Sequence, residues 1–373
     1  VVKRRQPGWA AGSGGGWNPW TRVQPAATRG TRSLSIAILS VIAGSSVAAQ
    51  SLTRSEVSRE YWQDLIPAYE PWLVSLGDHN GDGIGEVLMG DYSFRFPDQA
   101  VNWGKVSVLD GATGEERWRV LGELGQHGIQ DNVGFSVTEI DDRDGDGIRD
   151  VLTGALFGPA RILSGMDGSE IYRTPGVVEI VATLGDVDRD GTTDLALRRA
   201  LPPWGAVEVH SGRTLELLYT VRPPFRSYLF GSSIVSLGDL DGDRVPDFAV
   251  GAPENTWFGI REDCNDTNVF VYSGSDGRLL YHIPRPGVYE CEAFGYSLAA
   301  PGDLNGDEVG DLVIGLPDIG YVSTDFPRVY FHDGKTGARF DEVEPPPGPR
   351  GAFGRVLVSV GDSNGDGPSG CQP

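Results

Sequence analysis

The sequence is short of the residues that usually announce catalysis or a redox framework. Only three cysteines, Cys264, Cys291 and Cys371, occur in 373 residues, and the five histidines (His79, His127, His210, His282, His332) are scattered. That supply is too thin for a disulfide-dense scaffold or for repeated Cys/His zinc sites. No G-x-S-x-G elbow occurs, so nothing marks an activated nucleophile. Positive charge is scarce too. Lys and Arg number 31 against 52 Asp and Glu, a formal net charge of −21, which argues against nucleic acid or an anionic membrane as partner. Long apolar runs are absent except "SLSIAILSVIAGSSVAAQ", whose core falls below the roughly 18 to 20 apolar residues of a membrane span. It follows Arg29 and Arg32, and Val47 and Ala49 stand at −3 and −1 before Gln50, so it reads as a secretory signal. Its loss would remove basic residues alone and leave the mature chain more acidic.

Glycine is plentiful, 53 residues, and the chain favours many short strands over long helices. One acidic pattern returns along it: "SLGDHNGDGIGEVLMG" from Ser75, "EIDDRDGDGIRDVLTG" from Glu139, "TLGDVDRDGTTDLALR" from Thr183, "SLGDLDGDRVPDFAVG" from Ser236, "APGDLNGDEVGDLVIG" from Ala300 and "SVGDSNGDG" from Ser359. This is a repeat protein. Each acidic stretch sits between two apolar, β-branched segments, as in a hairpin. A second kind of hairpin with a tighter Gly/Asp turn lies between successive acidic ones, as in "GKVSVLDGATGEERWRV" and "ARILSGMDGSEIYR". Each repeat therefore holds four strands. Four antiparallel strands per repeat fit an all-β propeller blade, whereas a β-sandwich leaves the regular return of one hairpin chemistry unexplained.

Within each loop, oxygen donors fall at positions 1, 3, 5 and 9, with the backbone carbonyl of position 7 placed to add another. The five complete sets are Asp78, Asn80, Asp82, Ile84 and Glu86; Asp142, Asp144, Asp146, Ile148 and Asp150; Asp186, Asp188, Asp190, Thr192 and Asp194; Asp239, Asp241, Asp243, Val245 and Asp247; Asp303, Asn305, Asp307, Val309 and Asp311. Crowded like charges repel without a cation between them, and hard oxygens at this spacing suit Ca²⁺. An EF-hand would need a bidentate Glu at position 12 and flanking helices. Position 12 is instead Met89, Thr153, Leu197, Val250 or Ile314, each inside an expected strand. A glycine is kept at position 4 or 6 of every loop, and Arg189 at position 4 of the third brings a cation beside its ligands; His79, at position 2 of the first, is expected to point to solvent, and the other histidines have no recurring partner.

The chain resembles the FG-GAP, integrin-α-type propeller family. The resemblance rests on "LFGSSIVSLGDLDGDRVPDFAVGAP" from Leu229 and "AFGYSLAAPGDLNGDEVGDLVIGLP" from Ala293, with partial matches in "VGFSVTEI" and "AFGRVLVSVGD". Repeats one and three lack the phenylalanine-glycine pair, which puts their strand packing in question. The family implies seven blades, Ca²⁺ in hairpin loops on one face and macromolecular ligands on the other. Here five full blades and the opening strand of a sixth are expected. Gly370 stands at position 9 of the last loop and "PSGCQP" replaces the next strand, so the chain reads as truncated or altered at its end. The expected division is residues 1–49 leader and signal, 50–71 an unassigned segment, 72–367 propeller and 368–373 an aberrant tail.

In an up-and-down blade the acidic loop and the tight turn share one end, so the longer connections share the other. Those connections carry Phe94, Phe96, Trp103, Trp204, Trp257, Phe258, Tyr321 and Phe326, candidates for a ligand face. Cys264 and Cys291 flank one hairpin there and are candidates for a disulfide; Asn265, Asp266 and Thr267 form a glycosylation sequon in the same loop. The expected function is a secreted, monomeric, calcium-binding module for an extracellular protein or glycan, with structural calcium at about five sites and no catalytic set. A propeller-type lyase or hydrolase is the alternative, because paired carboxylates are abundant.

Overall fold

The computed structural model describes residues 36–39, 72–96, 101–125, 128–199, 205–225, 227, 229–253, 268–286, 293–317, 327–345 and 353–359, the first of these as backbone only. Contacts divide the chain into Val1–Leu34 and Ser35–Pro373, and every described residue falls in the second unit.

Five four-stranded antiparallel sheets follow one another in sequence, each with its strands in chain order. They are consistent with propeller blades. The first comprises Trp72–Ser75, Val87–Asp91, Lys105–Leu109 and Glu116–Leu121. The second comprises Val133–Ile140, Asp150–Ala155, Arg161–Leu163 and Glu170–Arg173. Ile180–Gly185, Asp194–Arg199, Ala206–His210 and Leu217–Val221 form the third. The fourth is Ser233–Gly238, Asp247–Ala252, Asn268–Tyr272 and Leu279–Pro284, and the fifth Ser297–Gly302, Asp311–Leu316, Arg328–His332 and Arg339–Val343. First strands of successive sheets pack against one another, so they form the inner wall. Second strands such as Asp247–Ala252 and Asp311–Leu316 are buried along their whole length, which explains their unbroken apolar runs. Fourth strands lie outermost and are largely exposed.

Val356–Ser359 packs on the first strand of the fifth blade, as the opening strand of a sixth. Ile36–Leu39 pairs with it antiparallel, Ile36 opposite Ser359. Those four residues lie in the stretch read as secretory leader, and removal of a leader would leave that edge of Val356–Ser359 unpaired. Among the described residues, no helix is long and apolar enough to cross a membrane.

The repeated motifs meet each other at the seams between blades. Phe230, Phe294 and Phe353 are buried, and the glycines that follow, Gly231, Gly295 and Gly354, have φ of 88°, 82° and 75°, a region open to glycine at no steric cost. A Cβ at Gly251 would strike the carbonyl of Gly295, and one at Gly315 the carbonyl of Gly354. Ser233 Oγ donates to that Gly295 carbonyl at 2.8 Å and Ser297 Oγ to Gly354 O at 2.7 Å. The glycine of one repeat's second strand therefore lies on the phenylalanine-glycine pair of the next. In the second blade, Val133 and Gly134 take the same place; Val133 is fully buried and Gly134 has φ 83°.

The third blade lacks both glycines and answers the question its sequence raised. Glu179 stands where the others have the first glycine, and Arg198 where they have the second. Their side chains form an ion pair at 15% and 8% exposure, and Arg198 Nε donates to Phe230 O at 2.9 Å. Toward the second blade the close approach is kept, since a Cβ at Gly154 would strike the Glu179 carbonyl and Ser136 Oγ donates to it at 2.9 Å; toward the fourth blade the clasped Arg198 takes the place of a glycine. Removing one partner leaves a shielded charge without its mate. Arg198→Ala is expected to cost about 3 kcal/mol in a urea melt, while the double change Glu179→Gly, Arg198→Gly should cost under about 1 kcal/mol. Equal losses in the two variants would refute the clasp.

Candidate metal centre

Each acidic loop joins the first and second strands of its blade, and position 1 organises it. Asp142 Oδ1 accepts the N–H of Gly145 at 2.7 Å and Oδ2 that of Gly147 at 2.9 Å. Asp78 does the same with Gly81 and Gly83, Asp239 with Gly242 and Arg244, and Asp303 with Gly306 and Glu308. Asp186 accepts from Asp190 at 2.9 Å and Gly191 at 2.9 Å. These backbone donors hold the Asp78 and Asp142 carboxyls below their ordinary range, chiefly through Gly83 and Gly147. Position 3 accepts the N–H of position 5, and position 5 that of position 7: Asp144 from Asp146 at 3.1 Å, and Asp146 from Ile148 at 2.7 Å. The N–H groups of Ile84, Thr192, Val245 and Val309 make the corresponding bond to Asp82, Asp190, Asp243 and Asp307.

Such winding needs left-handed backbone at positions 4 and 6. Gly81, Gly145, Gly242 and Gly306 take it at position 4, and Gly83, Gly147 and Gly191 at position 6. Arg189, Arg244 and Glu308 fill the remaining places at φ 63°, 69° and 72°. Arg189 does not crowd the third set of carboxylates, contrary to the sequence expectation. Its guanidinium reaches across to Asp243 O of the next loop at 2.5 Å. Arg143 likewise donates to Arg213 O at 2.9 Å, linking the second loop to the third blade.

Position 9 ties the loop to the rest of the blade. Glu86, Asp150, Asp194, Asp247 and Asp311 are all fully buried. Asp247 Oδ2 accepts from Leu240 N at 2.7 Å and Asp241 N at 3.2 Å, while Oδ1 accepts from Gly274 N at 3.0 Å. Gly274 belongs to the tight turn between the third and fourth strands. Gly165, Gly212 and Gly334 make the same bond to Asp150, Asp194 and Asp311, at 3.0, 2.6 and 3.1 Å. These glycines lie on the position-8 carbonyls, Arg149, Thr193, Pro246 and Gly310, leaving no room for a Cβ. Glu86 differs: its longer chain meets His79 N at 2.5 Å and Arg117 Nη1 at 3.3 Å. The sequence marked the tight turns as connections only. Their recurring Ser-Gly or Asp-Gly start was the available signal that they support the acidic loops.

Carboxylate oxygens converge within 4.8 Å of one another in three of the loops: Asp142, Asp144 and Asp146; Asp186, Asp188 and Asp194; Asp239, Asp241 and Asp247. The donors are all oxygen, and the sets of the third and fourth loops each include a buried carboxylate, which fits a hard divalent cation and excludes a thiolate or imidazole site. Burial pushes Asp150, Asp194 and Asp311 up, and Asp247 up to about 6.

Of the aromatic candidates, Phe94 and Phe96 are half-buried and meet edge to face at 5.5 Å, with Lys105 Nζ 5.3 Å from the Phe94 ring centre. Trp103, also half-buried, is tied to them by its N–H to Phe94 O at 2.7 Å. Trp204, Trp257, Phe258, Tyr321 and Phe326, the Cys264 and Cys291 pair, the sequon and the last acidic loop lie outside the described residues. His79, expected to face solvent, has a side chain only 4% exposed with Nε2 3.4 Å from Glu139 of the next blade. His210 and His332 do share a partner type. Both end third strands, and their Nδ1 atoms lie 3.1 and 2.9 Å from carbonyls of the following tight turns, Leu215 and Gly337.

Hairpins that close an acidic loop on a buried carboxylate, repeated blade by blade, define an FG-GAP type of β-propeller. Residues 230–272 match the FG-GAP repeat family. Human integrin alpha-E is 30% identical over 151 residues, 35% of this chain and 12% of that protein. Integrin alpha-5 of Xenopus laevis is 31% identical over 255 residues, 66% of this chain and 20% of that protein. A solved structure, Saccharomyces cerevisiae Sqt1, aligns with a TM-score of 0.46 at 11% identity, over 76% of this chain and 62% of that one. The chain therefore carries an FG-GAP repeat at residues 230–272 and is similar to the N-terminal region of integrin α subunits, and it spans at most about a fifth of these relatives' length.

For the cation-free protein the sign of the Asp247 contribution follows from its raised pKa. Its share of stability is fully present below about pH 4 and is lost as pH rises through about 6. A cation needs the ionised form, so protons compete with it. Cation affinity at the fourth loop is expected to fall about tenfold between roughly pH 7.5 and pH 5, read by titration calorimetry against Asp247→Asn. An affinity that does not change with pH would contradict the assignment.

Proposed function

We propose that the protein is a secreted, calcium-binding propeller that acts as a binding module for an extracellular protein or glycan. The observation that carries the calcium reading is the fivefold return of a buried position-9 carboxylate beneath a set of oxygen donors. Ca²⁺ accepts six to eight such donors at flexible geometry. In each blade the donors are positions 1, 3, 5 and 9, with the position-7 carbonyls of Ile84, Ile148, Thr192, Val245 and Val309 completing the set. Bound calcium supplies the charge that lets these carboxylates stay close together, and the chain's own backbone N–H groups fix their directions.

The ion's role is structural. The carboxylates are already turned inward by hairpin and turn, so the ion locks a blade end and leaves the longer connections free for a partner. The residues preceding Gln50 have the order of a secretory signal, which supports this reading because millimolar calcium is an extracellular condition. The similarity to integrin α subunits points the same way, toward a chain working outside the cell or at its surface. Phe94, Phe96 and Trp103 supply an aromatic corner at the end opposite the acidic loops. Catalysis is not part of the proposal. Of the histidines whose surroundings are described, His210 and His332 are engaged with turn carbonyls, His282 lies against Phe225 and Phe270, and His79 against Glu139.

At about 1 mM free calcium and a dissociation constant of about 0.1 mM, each site stabilises the fold by roughly 1.4 kcal/mol, and five independent sites by about 7 kcal/mol. Chelation with EGTA is expected to lower the melting temperature by more than about 10 °C; an unchanged melt would sink the structural role. Binding of the mature chain to glycan and matrix-protein arrays is expected in calcium and to weaken without it. Silence on both arrays would remove the binding-module reading.

A further inference from the structure

The loops differ at one position, and the difference is matched elsewhere in the same blade. Position 3 is aspartate in the second, third and fourth loops (Asp144, Asp188, Asp241), and the tight turns of those blades open with Ser164, Ser211 and Ser273. In the first and fifth loops position 3 is the neutral Asn80 or Asn305, and the tight turns open with Asp110 and Asp333. Counted over both positions, every blade carries one carboxylate and never two. The residues involved are about 30 apart in sequence but adjacent in space. Asn80 Nδ2 donates to Asp110 Oδ2 at 2.9 Å, and Asn305 Nδ2 to Asp333 Oδ2 at 3.1 Å.

The turn aspartates are held so that one oxygen stays available. Asp110 Oδ1 accepts the N–H and hydroxyl of Thr113 at 2.7 and 2.8 Å, and Asp333 Oδ1 the same groups of Thr336 at 2.7 and 2.8 Å. Oδ2 is left facing the asparagine. An amide has a donor end and an acceptor end, and a carboxylate beside it accepts only from the donor end. The opposite end, Oδ1, consequently turns into the loop, where it accepts from Asp82 N at 2.8 Å and Asp307 N at 2.9 Å. Serine suits the aspartate loops because it brings no second negative charge. Ser211 Oγ instead donates to Asp190 Oδ2 at 3.3 Å.

We propose that Asp110 and Asp333 are working parts of the first and fifth ion sites, fixing the orientation of Asn80 and Asn305 and supplying the fourth carboxylate that the other three loops carry at position 3. The inference rests on the calcium reading and extends it to two loops whose own residues offer only three carboxylates. Asp110 and Asp333 are positioning residues that act on the ion through the amides and through their charge. An asparagine at position 3 is then no weaker a site than an aspartate, provided the turn supplies the charge.

The test is a reciprocal exchange in the full chain, read by calcium calorimetry and by the calcium-induced shift in melting temperature. Asp110→Ser with Asp333→Ser is expected to split the isotherm, two sites weakening about tenfold while three keep their affinity. Adding Asn80→Asp and Asn305→Asp, which recreates the pairing of the middle blades, is expected to restore all five sites to within about threefold. An isotherm unaffected by the serines would overturn the inference while leaving calcium binding intact, as would an exchanged variant no better than the serine variant. If the serine variant does not fold, recovery of folding and calcium uptake by the exchanged variant supports the pairing, and failure to recover overturns it. A wild-type chain that takes up no calcium overturns both readings together.

Discussion

The buried carboxylate at position 9 is the point on which each blade end depends. It has left water, and in the second to fifth blades the desolvation is offset by N–H groups from two separate segments, the acidic loop and the tight turn; in the first, Glu86 meets His79 N and Arg117 instead. Asp247 shows the arrangement in full, with Leu240 and Asp241 on one oxygen and Gly274 on the other. One side chain thus fixes where the loop begins and where the second hairpin turns. With the blade end held this way, carboxylates converge although they repel, at positions 1, 3 and 5 in the second loop and at positions 1, 3 and 9 in the third and fourth. A cation between them is the natural resolution of that repulsion.

A second constraint acts between blades and explains why the signature motifs have their composition. The phenylalanine fills the seam, the following glycine turns the chain in left-handed backbone, and the glycine of the preceding blade's second strand lies on its carbonyl. Ser233 and Ser297 close the contact with a hydroxyl. The third blade shows that a seam tolerates one changed partner: Glu179 lies against Gly154 of the blade before, and Arg198 against Gly231 of the blade after. Glu179 and Arg198 cover the same ground with charge and hydrogen bonds. The exchange of Asn and Asp between loop and tight turn in the first and fifth blades lies at the opposite end, and there a charge is kept while the residues that carry it move.

Much of this was legible in the sequence because the repeat is local. Ligand spacing, strand period and glycine at loop turns all act over a few residues, so the acidic hairpins, the four-strand blades and the all-β class could be read directly. The spacing also identified the position-9 carboxylates, though not their burial. Arg189 was misread because its neighbours in sequence are carboxylates, whereas its long side chain finds a carbonyl in the next loop. His79 was misread for the same reason: the next blade covers it.

By itself, then, the sequence determined what depends on short range: hairpins with oxygen donors at fixed positions, strung into blades by β-branched runs. Only the tertiary structure decided which distant residues complete them. Asn80 meets Asp110 across about 30 residues, Glu139 meets His79 across blades, and Glu179 meets Arg198 through a hairpin. Such pairings depend on how strands stack and how turns sit against loops, and spacing along the chain does not encode them one by one. They exist because packing brings the segments together, and packing is a property of the whole unit.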